Sequence, residues 1–340
     1  MSDTPIGLIA WGTYFPQKIE TATDIASATG IPEEVVSQKM GLVEKHIAGP
    51  DDHCATMAAH AGRQALERAG LDANDLDLII YHGSEYKDHY VWSAATRVQQ
   101  LLGAENAGAF ELYALCAGAP IAFKTARGMM RDDESLKHVL LVTASRENDL
   151  VSYDNPRARF MYNFGAGAAA ALLKRDEATN EVMGASVISD GTLSKTVVME
   201  AGGSYRPPSE ETIAEELHQL DVPDLEYMGE RLGQVSQSNF LKVIHGAVEK
   251  SGYKPEDIRF LGLVHMKRSA YNGILADLGL SQDQAIYLDH YGHMQSVDQV
   301  VALDIAHRQS KLKDGDIVVL AGAGTGYTWS AVALRWGTPD

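Results

Sequence analysis

The chain has 340 residues, 45% of them hydrophobic, enough for a substantial core in one large domain or two closely packed ones, which excludes a disordered chain. Its 46 acidic against 29 basic residues give a formal charge of -17, and without a clustered basic face that balance excludes nucleic acid as a partner. Two cysteines cannot build a disulfide framework, the N-terminus MSDTPIGLIAWG lacks an export signal, and no apolar run nears the roughly 20 residues of a membrane span, so a cytoplasmic protein away from membranes is expected.

In chain order, short apolar runs bounded by turn residues predict buried strands at Leu76–Tyr81, Val139–Val142, Leu261–Val264 and Ile317–Ala321, separated by helical periodicity. This is an α/β pattern. The stretch ALERAGLDANDLDLIIYH from Ala65 lines up without a gap with AVEKSGYKPEDIRFLGLV from Ala247. In both, an amphipathic helix ends at a glycine suited to a left-handed cap, Gly70 or Gly252, and a polar turn leads into a strand. HVLLVTA from His138 then matches DIVVLAG from Asp316, and AGAAAALLKR from Ala166 matches SAVALRW from Ser330. Four elements in one order predict two duplicated halves, residues 1–180 and 236–340, joined by a linker or insertion over 181–235.

Each half carries a segment running from an apolar strand into a small-residue turn, GAFELYALCAGAP and AIYLDHYGHMQSVD. Cys116 and His293 take comparable places in them, so a pseudo-twofold between the halves brings a nucleophile to a base. Cys116 precedes a helix-compatible stretch, and a helix N-terminus favours a thiolate and offers backbone N–H groups. That is the chemistry of covalent acyl transfer: the thiolate attacks a thioester, backbone donors hold the oxyanion, and the acyl group is passed on. Plainer readings take the remaining candidates. Cys54 reads as a buried helix residue; His46, His53, His60, His82 and His307 read as structural or exposed. Asp289, His290 and His293 lack the further ligands of a metal site, so none is expected. Gly322, Gly324 and Gly326 lack dinucleotide-loop spacing and read as a turn between strands.

Six landmarks in order, IGLIAWGTYFPQKI, GLVEKHIAGPDD, ALCAGAP, LVHMKR, YGHMQS and GAGTGYTWSAVALRW, give a chain that resembles β-ketoacyl-ACP synthase III and, behind it, the thiolase superfamily. The resemblance implies a thiolase fold, five-layered αβαβα from two duplicated halves, in a homodimer. It implies that Cys116 is acylated, that His265 lies beside it, and that Cys116 with the Gly322–Gly324 turn forms the oxyanion hole. It also implies a coenzyme A or phosphopantetheine thioester as substrate, delivered as acyl-CoA or on an acyl carrier protein, with no tightly bound cofactor.

Two departures bear on mechanism. The family's triad ends in asparagine, and here His293 stands in that place. Two histidines facing a cysteine resemble the elongating ketoacyl synthases, which polarise a malonyl thioester during decarboxylative condensation. A histidine there also resembles thiolases and certain polyketide-tailoring acyltransferases, where it is a base toward the cysteine and a hydroxyl, amine or thiol takes the acyl group. Asp298 could orient such a histidine, although helix statistics favour a cap or an exposed first-turn carboxylate. The family's coenzyme-binding tryptophan and arginine pattern is replaced by Val35 to Lys39, leaving Lys39, Lys267 and Arg268 as candidate phosphate contacts that read equally as solvated charges. An acyltransferase is expected first and a condensing enzyme second. A catalytically silent partner subunit fits poorly with Cys116, His265 and the glycine-rich turn together.

Overall fold

The apolar runs become strands buried on both faces, as continuous rather than alternating hydrophobicity requires. The computed structural model describes residues 4–338. The first series of elements is β1 (Ile6–Tyr14), β2 (Lys18–Thr21), α1 (Ala22–Thr29), β3 (Glu44–Ile47), α2 (Cys54–Ala69), β4 (Leu78–Gly83), α3 (Ala94–Leu102), β5 (Gly108–Tyr113), α4 (Gly118–Asp132), β6 (His138–Ser145) and β7 (Gly167–Arg175). The second is β8 (Glu181–Ser189), β9 (Val198–Met199), α5 (Glu210–Ala214), β10 (Leu220–Asp221), α6 (Leu225–Glu249), β11 (Ile258–Leu263), α7 (Arg268–Asp277), α8 (Asp298–Arg308), β12 (Ile317–Gly324) and β13 (Thr328–Arg335).

Nine strands form one sheet in the order β11-β12-β13-β8-β1-β7-β6-β4-β5. The two halves of that order repeat one pattern. β4 runs parallel to β6, β6 antiparallel to β7 and β7 antiparallel to β1; likewise β11 runs parallel to β12, β12 antiparallel to β13 and β13 antiparallel to β8. The halves meet where Gly7 of β1 pairs with Glu181 of β8.

Strand periodicity then builds the layers. In β6, Leu140 and Val142 face α2 and α3, while Val139 and Leu141 face α4 and α8. In β12, Val319 and Ala321 face α6 and α7, while Val318 and Leu320 turn to the same α4 and α8. Two helices are therefore sandwiched between two sheet halves, each covered on its outer face by two more, which is the five-layered arrangement. The central helices suit that place: α4 buries the small Ala119, Ala122 and Ala126, and nearly every residue of α8 is buried. The cap glycines are left-handed, with φ 65° at Gly70 and 82° at Gly252.

The stretch 181–235 differs from the expected linker. It opens with β8, the partner of β13, and its last residues already belong to α6. Gly184, Ser186 and the exposed Val187 interrupt the apolar pattern of β8 and hide the strand. Only the part between β8 and α6 lies outside the repeat, and there β9 and β10 form a small ribbon of their own. No helix among the described residues is long and apolar enough to cross a membrane.

Candidate active site

β5 ends at Tyr113, and after Ala114 a 3-10 turn, Leu115–Ala117, leads into α4. Leu115 has φ 51°, a left-handed conformation uncommon for a bulky side chain, and it delivers Cys116 to the head of α4. The turn is pinned from three sides. Gln299 Nε2 donates to Cys116 O at 2.9 Å, and Ser330 Oγ donates to Ala117 O at 2.8 Å. β12 approaches so closely that a Cβ on Gly322 would fall 2.3 Å from Cys116 O, and one on Gly324 would fall 2.2 Å from Ala114 O.

Leu115 has a twin. Gln295 opens the 3-10 turn Gln295–Val297 before α8 with φ 56°. The positional counterpart of Cys116 is therefore Ser296, and His293 lies three residues earlier. Nucleophile and base converge without being symmetry equivalents, which corrects the expectation of comparable places.

Cys116 Sγ lies 3.0 Å from His293 Nε2, and His293 Nδ1 lies 2.6 Å from Asp298 Oδ2. The same oxygen accepts the His265 backbone N–H at 2.8 Å, and Asp298 Oδ1 accepts that of Met294 at 2.8 Å. Asp298 is fully buried. The plainer expectation of an exposed first-turn carboxylate is thus corrected, because α8 is enclosed and its first carboxylate must find protein donors. His293 is fixed through its backbone as well: its N–H donates to Asn163 O at 2.9 Å, and its carbonyl accepts from Gly165 N–H at 3.0 Å. Burial opposes charge on His293, but the Cys116 sulfur and the Asp298 carboxylate outweigh it and hold the imidazolium well above the usual histidine range.

His265, expected beside Cys116, has both ring nitrogens bonded to the protein. Its Nε2–H donates to Gly41 O at 2.9 Å, so its Nδ1 is the acceptor for Asn163 Nδ2 at 3.0 Å. Burial pushes its pKa down to about 4, so the ring is neutral with both nitrogens in use. Its contact with the relay is its backbone N–H on Asp298.

Cys116 opens into a cavity of about 510 Å³. Met161, Phe164, Val198, Met199 and Leu220 make its apolar wall, so the β9–β10 ribbon helps to enclose it. Ser84, Glu85, Glu147, Gln295 and Gly326 stand on its polar side. Gly322 and Gly324 are not among the lining residues; their part is to let β12 pack against the nucleophile turn, and the glycine that reaches the cavity is Gly326. Lys39 and Lys267 are exposed, and Arg268 is paired with Asp289 at 3.2 Å and stacked over the Tyr287 ring at 4.1 Å. None of the three lines the cavity.

Sequence reasoning missed Glu147, Gln295, Gln299 and Ser330. Glu147 is buried and accepts from Ser84 Oγ and, at 2.6 Å, from Ser145 Oγ; burial pushes its pKa up against these two hydrogen bonds. Its signal was faint: an acid just past the end of β6, one strand removed in the sheet from β5, which leads to the nucleophile.

Known proteins can be set beside this geometry. Residues 110–191 match the family model for 3-oxoacyl-[acyl-carrier-protein] synthase III, and residues 248–336 match the model for its C-terminal part. A β-ketoacyl-[acyl-carrier-protein] synthase III of Caldanaerobacter subterraneus subsp. tengcongensis is 30% identical over 331 residues, covering 97% of each chain. That of Rhizobium meliloti is 29% identical over 332 residues, 96% of this chain and 98% of its own. In fold, the crystal structure of 3-oxoacyl-[acyl-carrier-protein] synthase III from Aquifex aeolicus matches with a TM-score of 0.83 at 24% identity, over 98% of this chain and 100% of that one. The priming β-ketosynthase of the R1128 polyketide pathway matches with a TM-score of 0.84 at 22% identity, over 98% and 97%.

Proposed function

The chain belongs to the β-ketoacyl-[acyl-carrier-protein] synthase III family and is an acyltransferase, and on that premise we propose that it works through an acyl-Cys116 thioester with His293, held by Asp298, as its proton shuttle. The observation that carries this is the buried relay of 3.0 Å from Cys116 Sγ to His293 Nε2 and 2.6 Å from His293 Nδ1 to Asp298 Oδ2. Residues up to about 180 supply the nucleophile, and the second half supplies base and carboxylate.

In the first half-reaction the Cys116 thiolate adds to the carbonyl of a coenzyme A or carrier-protein thioester. The oxyanion is held by the backbone N–H groups of Cys116 and Gly326, the glycine that lines the cavity. The carbon–sulfur bond of the donor then breaks, and the departing thiolate takes the proton from His293. In the second half-reaction neutral His293 accepts the proton of a hydroxyl, amine or thiol as that atom attacks the acyl carbon. Cys116 leaves as thiolate beside the restored imidazolium. Asp298 keeps Nδ1 protonated and Nε2 facing the sulfur throughout.

The relatives' names favour a second reading, decarboxylative condensation with a malonyl thioester. That chemistry asks a second imidazole to polarise the malonyl carbonyl, and His265 has both ring nitrogens bonded to the protein. Two free cysteines fit a reducing cytoplasm. β5, half-exposed at the end of the sheet, offers an edge for pairing with a second copy in a homodimer.

The test is intact-mass analysis after incubation with a panel of acyl-CoA and acyl-carrier thioesters. The expected result is an acyl adduct that Cys116→Ala abolishes. Absence of an adduct with every donor would point to a silent subunit. Release of labelled carbon dioxide from malonyl thioester, with a carbon–carbon-linked product, would replace transfer by condensation.

A further inference from the structure

Lys45 is a charged side chain in a place with almost no water. It stands on β3, directly opposite Glu20 of β2, and is 1% exposed. Its stem passes between two glycines: a Cβ on Gly292 would fall 3.1 Å from Lys45 Cβ, and one on Gly165 would fall 3.4 Å from it. The ammonium donates to Tyr162 O at 2.7 Å and to Tyr153 Oη at 3.1 Å, and it pairs with Glu20 Oε2 at 3.2 Å. Tyr153 gives its own hydroxyl proton to the same Glu20 oxygen. Burial pushes Lys45 down to about 8 against the pull of Glu20, so the group is charged at pH 7. A buried ion pair is expensive, and an apolar side chain of the same length would fill this space without that cost. What the ammonium adds is its grip on Tyr162 O.

Tyr162 lies in a short segment that serves the site twice. Met161 and Phe164 form part of the apolar wall of the Cys116 cavity. Asn163 O accepts the His293 N–H, and Gly165 N–H donates to His293 O. The Phe164 ring also meets the His293 imidazole edge-on, with centroids 5.2 Å apart. The segment is in turn tied to β3, where Ala166 N–H donates to His46 O at 2.8 Å just beyond the Lys45 bond. The base therefore hangs from residues 163–165, and those residues hang from β3. Lys45 itself is absent from the cavity lining.

We propose that Lys45, anchored by Glu20, is a positioning residue for acyl transfer: its ammonium holds the Tyr162 backbone and, through it, the clasp that sets His293 against Cys116. The inference rests on the acyl-Cys116 reading and deepens it by naming the group that fixes the base from outside the cavity.

Three variants test it. Lys45→Met keeps the stem and removes the donor, Lys45→Arg keeps charge and donors, and Glu20→Gln removes the anchoring charge at a residue outside the cavity lining. Imidazole nitrogen NMR on histidine-labelled protein follows the titration of His293, whose signals are assigned by their loss in His293→Asn. Contact with Cys116 and Asp298 is what holds this imidazolium above the usual histidine range, so displacement of the ring is expected to lower the pH at which it titrates. In Lys45→Met that shift is expected, together with about tenfold slower alkylation of Cys116 by iodoacetamide at pH 7 and about tenfold slower acylation by butyryl-pantetheine. Lys45→Arg is expected to recover both rates to within a few-fold, and Glu20→Gln to show a smaller shift of the same sign. A loss of stability alone leaves the His293 titration where it is in the folded molecule. A folded Lys45→Met with wild-type His293 titration and alkylation rate would overturn the proposal. If Lys45→Met does not fold, Glu20→Gln decides in the same way, an unchanged titration and alkylation rate overturning it. A shifted His293 titration with no acyl adduct from any thioester would support the role of Lys45 and count against the acyl-enzyme alone.

Discussion

Asp298 Oδ2 lies 2.6 Å from His293 Nδ1 and receives the backbone N–H of His265 through the same oxygen at 2.8 Å. With Met294 N–H on Oδ1, the buried carboxylate is surrounded by donors, and each fixes something different. One sets the tautomer of the base, one ties the turn after β11, and one ties the turn before α8. The carboxylate therefore joins catalysis to the packing of the second half.

Asp298→Asn removes one acceptor and turns an NH2 group toward N–H donors. The base loses the partner that keeps its Nε2 toward the sulfur, so acylation of Cys116 is expected to fall by about 10³-fold. One backbone N–H, that of His265 or that of Met294 according to which way the amide turns, is left unpaired, costing about 1–3 kcal/mol of stability. Single-turnover mass spectrometry and denaturant unfolding measure the two effects. Acylation within a few-fold of wild type would leave Asp298 a purely structural residue.

The buried histidines give stability a defined pH dependence. Burial pushes His265 down to about 4 and His82 down to about 3, below the unfolded value of 6.5. Between 6.5 and those values the unfolded chain binds protons that the folded chain refuses, so stability present above 6.5 is lost as pH falls toward 4. His265 alone accounts for about 3 kcal/mol over that window. His293 has the opposite sign: raised in the fold, it contributes stability below 6.5 that is lost as pH rises through its folded pKa. Urea unfolding from pH 4 to 8 is expected to show a maximum near neutrality, with the acid slope reduced in His82→Gln. A flat profile from 6.5 to 4.5 would contradict this.

What the sequence made legible was local. Continuous apolar strands, cap glycines at Gly70 and Gly252, and a cysteine at a strand-to-helix junction are each set by neighbours along the chain. The burial of Asp298 depends instead on α8 being enclosed by both sheet halves, and no helix statistic contains that. The tautomer of His265 depends on Gly41, far away in the chain. The three-residue displacement between base and pseudo-symmetric position appears only through the backbone angles of Leu115 and Gln295. Glu147 and Gln295 were invisible because an acid in a polar stretch and a glutamine beside a helix start are ordinary until both are found inside one cavity.

The two histidines of the site are expected to respond differently to removal. His293→Asn takes away the only imidazole in contact with Cys116 among the described residues, and alkylation of the thiol by iodoacetamide at pH 7 is expected to slow by about 10²-fold. His265→Asn breaks bonds to Gly41 and Asn163 and is expected to cost about 1–3 kcal/mol while leaving the alkylation rate within a few-fold. An equal kinetic loss in both variants would restore His265 to the reacting centre.

The last expectation separates two roles for the glycines of β12. If Gly322 served through its N–H, alanine would preserve it, since a side chain leaves the backbone donor in place. The geometry requires the side chain to be absent instead, because a Cβ would fall 2.3 Å from Cys116 O and 2.5 Å from Gln299 Nε2. Gly322→Ala must push either the nucleophile turn or the Gln299 amide that holds it, costing about 1–3 kcal/mol as an overpacked core does. Because the atoms displaced carry Cys116, the acylation rate is expected to fall along with the melting temperature. Gly203→Ala is the control: a Cβ added there would meet nothing within 4 Å, so stability and acylation are expected to stay near wild type, within about 0.5 kcal/mol. Unaltered stability and acylation in Gly322→Ala would show that β12 yields more easily than its contacts indicate, and would return Gly322 to consideration as a backbone donor.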